Sequence, residues 1–296
     1  MSEQPVVETR ALGKRYGSLW ALRECSLAIP AGSVAALVGP NGAGKTTLLH
    51  LLVGLSAPSA GEACVLGWSP REQPSLVLPR IGFVAQDHPL YRGFTLAETL
   101  KLGRKLNPRW DDDLATKRLA GLGIPLEKKV GKLSGGQQAQ VALTLALAKR
   151  PDLLLLDEPV ASLDPLARRE FLQVLMEAVA DDGITVILSS HIVAELERVC
   201  DHLVILAAGG VQLAGPIEEL LRSHQVLTGP RGDAGAVART HAIVKERHTA
   251  RQTTLFVRGD GAVADPSWRI DEVTLEEVVL AYLGQQTERA APENAL

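Results

Sequence analysis

The segment Gly39-Pro-Asn-Gly-Ala-Gly-Lys-Thr46 fits G-x-x-x-x-G-K-[ST], and with its flanks it narrows the possible folds more than any other stretch. Before it, Ser33-Val-Ala-Ala-Leu-Val38 is a short apolar run suited to a strand buried on both faces. After it, Thr46-Thr-Leu-Leu-His-Leu-Leu-Val53 reads as a helix packed on a sheet. Strand, glycine turn and helix together predict an α/β fold whose loop cradles phosphate. The glycines let backbone N–H groups converge on phosphate oxygens without Cβ clashes, and the helix N-terminus adds partial positive charge. On this reading Gly39, Pro40, Asn41, Gly42, Ala43 and Gly44 form the cradle. Lys45 reaches the β- and γ-phosphates, the Thr46 hydroxyl binds Mg²⁺, and Thr47 adds a phosphate contact.

A second apolar run, Pro151-Asp-Leu-Leu-Leu-Leu156, suits another strand of a parallel sheet. It delivers Asp157 and Glu158 to the strand's carboxyl end, where ligands bind in open α/β sheets. Asp157 is placed to hold Mg²⁺, directly or through water. Glu158, one residue on, is placed to polarise an attacking water as general base. A third run, Ile184-Thr-Val-Ile-Leu-Ser-Ser190, ends at the same edge and presents His191. Between the first two lies Leu133-Ser-Gly-Gly-Gln137. Ser134 fits the N-cap of a helix of good helix formers running to Ala148, and Gly135 and Gly136 allow an anion close to its exposed N–H groups.

These motifs, in this order, resemble those of the nucleotide-binding subunits of ATP-binding cassette (ABC) transporters, over about residues 4 to 222. The Leu-Ser-Gly-Gly-Gln signature is highly specific to that family. The resemblance implies an ABC ATPase form of the P-loop NTPase fold, with an antiparallel β subdomain and a helical insert. It further implies that Tyr16 stacks on adenine, that Gln86 reaches Mg²⁺ and senses a membrane partner, and that His191 touches the γ-phosphate. Asp164 then belongs to a loop crossing a dimer interface, and Ser134, Gly135, Gly136 and Gln137 act on ATP held by an opposite subunit. One subunit could not use both its phosphate loop and this second anion site on the same ATP, so the implied assembly is a head-to-tail pair. Two departures stand out. The run Gln138-Ala139-Gln140 lacks the arginine usual after the signature, and Ala161-Ser-Leu-Asp164 replaces Ser-Ala-Leu-Asp. Neither removes a catalytic group.

Organisation follows from the motifs. Residues 4–222 read as the ATPase domain, with a mainly helical insert at about 87–133 containing helices at 95–105 and 111–121. The stretch His88-Pro-Leu-Tyr-Arg-Gly-Phe94 is the expected seat for a helix of a membrane-spanning permease subunit. Residues 223–284 read as a small C-terminal α+β appendage: Gln225–Thr228 and Thr253–Val257 as strands, then a capping box at Thr274-Leu-Glu-Glu277 opening a helix. Residues 285–296 are polar and expected to be disordered. The closing Leu275-Glu-Glu-Val-Val-Leu280 resembles the tail of single-cassette subunits that drive export, which implies export.

A net charge of −3 gives no basic field for nucleic acid, and no apolar run reaches the 18 residues that span a bilayer. The three cysteines, Cys25, Cys64 and Cys200, have no metal spacing and suit a reducing compartment. The expectation is a cytoplasmic ATPase, peripheral on the membrane, that needs a separate membrane-spanning subunit. A non-transport ABC ATPase acting on ribosomes or chromosomes is the competing class. The single cassette, the modest insert and the lack of a basic arm count against it.

Overall fold

In a computed structural model of the chain, residues 4–231, 237–259 and 267–290 are described. The backbone opens with two long strands, β1 (Val7–Tyr16) and β2 (Leu19–Ile29). The short strand β3 (Val34–Val38), helix α1 (Lys45–Leu52) and strand β4 (Ala60–Val65) follow. After α2 (Pro74–Val77) comes β5 (Ile81–Val84), then α3 (Leu96–Leu106), α4 (Asp112–Gly121) and α5 (Gly135–Ala148). The rest of the ATPase region comprises β6 (Leu153–Asp157), α6 (Pro165–Asp182), β7 (Thr185–Ser190), α7 (Val193–Leu196), β8 (His202–Ala207), β9 (Gly210–Pro216) and α8 (Ile217–Arg222).

Six strands form the central sheet in the order β5-β6-β7-β3-β8-β9, parallel except for β9. The continuous apolar runs follow from this topology, because helices cover both faces. Alternation along the strands assigns each side chain to a layer. Leu154 and Leu156 face the core built with α5 and α6, whereas Leu153 and Leu155 face the core built with α1. Ala36 and Leu37 divide in the same way on β3. A separate antiparallel sheet, β2-β1-β4, closes over α1. These are the layers of an α/β fold with a mainly parallel central sheet and an antiparallel β subdomain.

Helices α3 and α4 stand apart on a small core of Leu96, Leu100, Ala115 and Leu119, joined to α5 through Val141 and Ala148. Their starts are chemically defined. Thr95 forms a reciprocal capping box with Glu98, and Asp111 accepts from Leu114 N at 2.8 Å. Both hydrogen bonds to Thr95 hold the Glu98 carboxyl below its ordinary pKa.

The C-terminal strands β10 (His224–Pro230), β11 (Ala242–His248), β12 (Gln252–Arg258) and β13 (Arg269–Asp271) pair antiparallel in the order β11-β12-β10-β13. Helix α9 (Leu275–Ala290) follows. Val278, Val279 and Tyr282 of α9 join the same apolar cluster as Leu196, Leu203 and Leu220 of the ATPase region. The helix is therefore shared between the C-terminal sheet and the core around the central sheet. At the seam, buried His224 bonds through Nε2 to the Tyr282 hydroxyl at 2.9 Å, and its Nδ1 bonds to the Leu220 carbonyl at 2.7 Å. Burial lowers the His224 pKa, so the ring is neutral and donates from Nδ1.

The disorder expected from Gln285 onward does not begin there. The helix continues through Ala290, because Gln, Thr, Glu, Arg and Ala extend a helix that has already been nucleated. Residues 291–296 lie outside the described residues. The capping box at Thr274 forms as the spacing predicts, with Glu277 N to Thr274 Oγ1 at 3.3 Å and Thr274 N to Glu277 at 2.8 Å. Thr274→Ala should cost about 1 kcal/mol in urea unfolding, as loss of an N-cap does.

Candidate functional site

Three strand ends meet where the parallel sheet opens. Strand β3 delivers the glycine loop, β6 delivers Asp157 and Glu158, and β7 delivers His191. The parallel register pairs Asp157 with Ser189, which fixes the depth of one carboxylate against the other strand. Around these ends lies a cavity of about 830 Å³, within the range of small-molecule sites. Its wall includes Tyr16, Asn41, Gly42, Ala43, Gly44, Lys45, Thr46, Thr47, Gln86, Glu158 and His191.

The loop needs its glycines for different reasons. At Gly39 a Cβ would lie 2.1 Å from the Leu206 carbonyl oxygen, so packing against β8 forbids any side chain. At Gly44, φ is +104° and a Cβ would meet Ala21 O at 2.6 Å. Gly42 has φ +82° and nothing within 4 Å of the Cβ position, so that position is open space on the cavity side. A phosphate can occupy this space only while residue 42 lacks a side chain. The loop thereby fits a polyphosphate.

Lys45 is 6% exposed. Its Nζ donates to Gly39 O at 2.8 Å and Pro40 O at 3.3 Å, and lies 3.2 Å from Glu158 Oε1. The other Glu158 oxygen lies 3.1 Å from His191 Nδ1. Glu158 holds this position through a turn few residues adopt, with φ +44° directly after β6. Its N–H donates to Ser189 Oγ at 2.8 Å, while the Ser189 hydroxyl donates to Asp157 Oδ1 at 2.8 Å. One serine thus clamps both acidic residues. Strain of this kind costs of order 1–3 kcal/mol and persists where the surroundings over-determine it. Here it aims the carboxylate between a cation and an imidazole.

Sequence reasoning missed Ser189 as a clamp, although the pair Ser189-Ser190 before His191 was visible. It also missed Lys14. The Lys14 Nζ lies 5.1 Å from the centre of the half-exposed Tyr16 ring and donates to Ala57 O at 2.8 Å, buttressing the ring.

The other candidate residues are spread more widely. Asp157 is 2% exposed and lies behind the cavity wall, whereas Thr46 and Gln86 are exposed on it. Gly39 and Pro40 do not line the cavity and hold Lys45 by their carbonyls. Ser134 caps α5, with Gln137 N to Ser134 Oγ at 3.2 Å and Ser134 N to Gln137 Oε1 at 3.2 Å. Lys128 adds a contact to the same Gln137 oxygen at 3.3 Å. Gly135 borders a smaller cavity of about 290 Å³ that meets the main one at Gln86, Glu158 and Ala161. Ser134, Gly136 and Gln137 line neither cavity. Asp164 caps α6, accepting from Leu166 N and Ala167 N, and also lies off the cavities. Gln140, the last residue of the run that lacks the usual arginine, is buried.

Among the described residues no cluster of three or more His, Cys, Asp or Glu forms a metal cage. Thr46 on the wall and Asp157 behind it carry oxygens of the kind Mg²⁺ takes beside water and substrate phosphate.

A family profile described as ABC transporter matches residues 22–161. The phosphonates import ATP-binding protein PhnC of Caulobacter vibrioides is 33% identical over 252 residues, covering 78% of this chain and 96% of that protein. The Nod factor export ATP-binding protein I of Rhizobium johnstonii is 36% identical over 208 residues, covering 69% and 67%. The Fe(3+) ions import ATP-binding protein FbpC of Yersinia pestis is 36% identical over 222 residues, covering 72% of this chain and 63% of that protein. Among solved structures, an ATP-binding subunit of an ABC transporter superposes with TM-score 0.66 at 29% identity, covering 73% of this chain and 92% of that one. A dimeric ATP-binding cassette in a post-hydrolysis state with ADP and Pi superposes with TM-score 0.64 at 26% identity, covering 71% and 98%.

Proposed function

The chain belongs to the ABC transporter family and is an ATPase, and from that premise we propose that it powers transport through a separate membrane-spanning subunit. The observation that carries this reading is the line Lys45–Glu158–His191 on the wall of the phosphate-loop cavity. Without nucleotide, Glu158 neutralises Lys45. Phosphate oxygens compete for the ammonium and release Glu158 toward water, where it acts as general base. His191 holds the carboxylate from its other side and meets the γ-phosphate. Tyr16 stacks on adenine. Thr46 and Gln86, with Asp157 directly or through water, would hold Mg²⁺, which would supply charge neutralisation at the phosphates.

A second copy, head to tail, completes each site. Ser134, Gly135, Gly136 and Gln137 cap the γ-phosphate across the interface, with Asp164 crossing beside them. The support is their position: Ser134 and Gly135 are exposed at the start of α5 and do not line their own subunit's cradle. The domain limits we assign are 4–222 for the ATPase, with 87–133 as its helical subdomain, and 223–284 for the appendage.

The membrane partner docks on an apolar groove of about 580 Å³ bordered by Phe83, Leu90, Tyr91, Leu102, Leu106 and Trp110. This groove joins the segment after Gln86 to α3, so a helix seated there touches both nucleotide-sensing and insert elements. Among the described residues no helix is long and apolar enough to cross a membrane, consistent with peripheral attachment to a permease at the cytoplasmic face. Export is the direction we propose, supported by the 275–280 segment. Relatives named for import and for export both match.

The test is co-purification from membranes with the protein encoded beside this chain. Leu106 is 69% exposed, so Leu106→Glu should fold, yet charge on the groove rim should lower recovery of the partner about tenfold. Recovery equal to wild type would remove the groove from the reading.

A further inference from the structure

Helix α7 begins two residues after His191 and has only four residues, too few to hold a position by itself. Its location is set by what it touches. On one side Leu196 is buried in the shared core. On the other, Glu195 Oε1 accepts from Arg168 Nη1 of α6 at 2.6 Å. The same guanidinium donates through Nη2 to the carbonyl of Leu163 at 3.2 Å. Leu163 sits in the loop Ala161–Asp164, and Asp164 caps α6. Arg168 and Glu195 keep 22% and 19% of their side-chain exposure, so solvent weakens the pair less than an open surface pair.

We propose that Arg168 is a positioning residue that ties the interface loop to the helix behind His191, so that closing the dimer sets the imidazole. The proposal rests on the hydrolytic reading of Glu158 and His191. Arginine suits this task because its planar fork carries donors in several directions, and here two separate donors reach two separate segments. The connected path runs from Leu163 O through Arg168 to Glu195, along α7 to His191, and from His191 Nδ1 to Glu158 Oε2. Movement of Asp164 as a partner subunit approaches therefore reaches the acid–base pair by direct contacts. Arg168 does not line the nucleotide cavity, so its loss acts through the placement of His191 and leaves the phosphate loop's own contacts to ATP in place.

The experiment uses the purified full chain and phosphate release with Mg-ATP. Arg168→Met keeps the aliphatic stem and removes the fork. It should lower kcat about tenfold, well short of the 10²-fold that a 1 Å misplacement can cause, while KM for ATP stays within about twofold. Glu195→Gln is close to isosteric and reads the same link if Arg168→Met folds poorly. The double variant should be no slower than the worse single, because both remove one connection. Exchanging the charges, Arg168→Glu with Glu195→Arg, should not recover kcat, because a carboxylate at 168 cannot donate to the Leu163 carbonyl.

Wild-type turnover in both single variants, or fully additive losses in the double, would overturn the coupling role. A rise in KM with kcat unchanged would do so too. Glu158→Gln and His191→Ala are measured beside them. If those two lose turnover and Arg168→Met does not, the coupling role alone fails. If those two keep turnover, the site reading fails first.

Discussion

Glu158→Gln should cut ATP turnover by about 10²–10⁴-fold, the usual worth of a positioned general base, while ATP still binds. The structure keeps residue 158 in place through the substitution. The Ser189 clamp holds the backbone N–H of residue 158 and is indifferent to the side chain. Glutamine keeps the shape that reaches toward Lys45 and His191, and loses both the ability to take a proton and the charge that neutralises Lys45 in the free protein. Among the described residues no other carboxylate lines the phosphate-loop cavity to replace it. Phosphate release and nucleotide binding, measured on the same preparation, separate the two effects. Turnover within a fewfold of wild type would remove the base assignment.

Lys45→Ala should act at the opposite end, on binding. A hydrogen bond to a charged group is worth about 1.5–3 kcal/mol, so losing it at the phosphates should weaken ATP binding roughly 10- to 150-fold. A second consequence follows from burial. Lys45 and Glu158 are 6% and 11% exposed, and removing one partner leaves the other charge stranded. The single variant should therefore also unfold at lower urea concentration. Adding Glu158→Gln removes the stranded charge and should restore part of that stability without restoring binding. Equal stability of the single and double variants would show that the pair is not coupled in the free protein.

The features most legible in the sequence are those in which one local run dictates both structure and chemistry. Gly39–Thr46 needed only a strand before it and a helix after it, and both are present. The alternating halves of Leu153–Leu156 follow from a strand buried on both sides. Ser134 and Thr274 could be read as helix caps because a capping box is a four-residue pattern.

What escaped the sequence depends on register and on distant segments. Ser189 clamps two acidic residues only because β6 and β7 pair in one particular register. Lys14 was unremarkable until the chain placed its ammonium over Tyr16. The role of α9 was hidden as well. Its apolar face was evident, but nothing local showed that it would pack on β8 and α7 as well as on its own sheet. The position of Asp157 behind the wall arose in the same way, from depth in the sheet.

The structure also refines how the second anion site should be perturbed. A Cβ at Gly136 would come within 3.1 Å of Ala167 Cβ, so a charged side chain there mixes crowding of α6 with electrostatics. Gly135 has nothing within 4 Å of the Cβ position, and Gly135→Asp places the charge without the clash. That variant should abolish ATP-driven pairing and leave each chain's own cradle able to bind nucleotide.

Light scattering of the Glu158→Gln protein, with and without Mg-ATP, tests most directly the claim that two chains share each ATP. Blocked hydrolysis retains the nucleotide that bridges them. The account predicts one chain's mass without nucleotide and twice that mass with Mg-ATP, with the increase lost in Glu158→Gln/Gly135→Asp. A single-chain mass at high protein concentration in both conditions would contradict it.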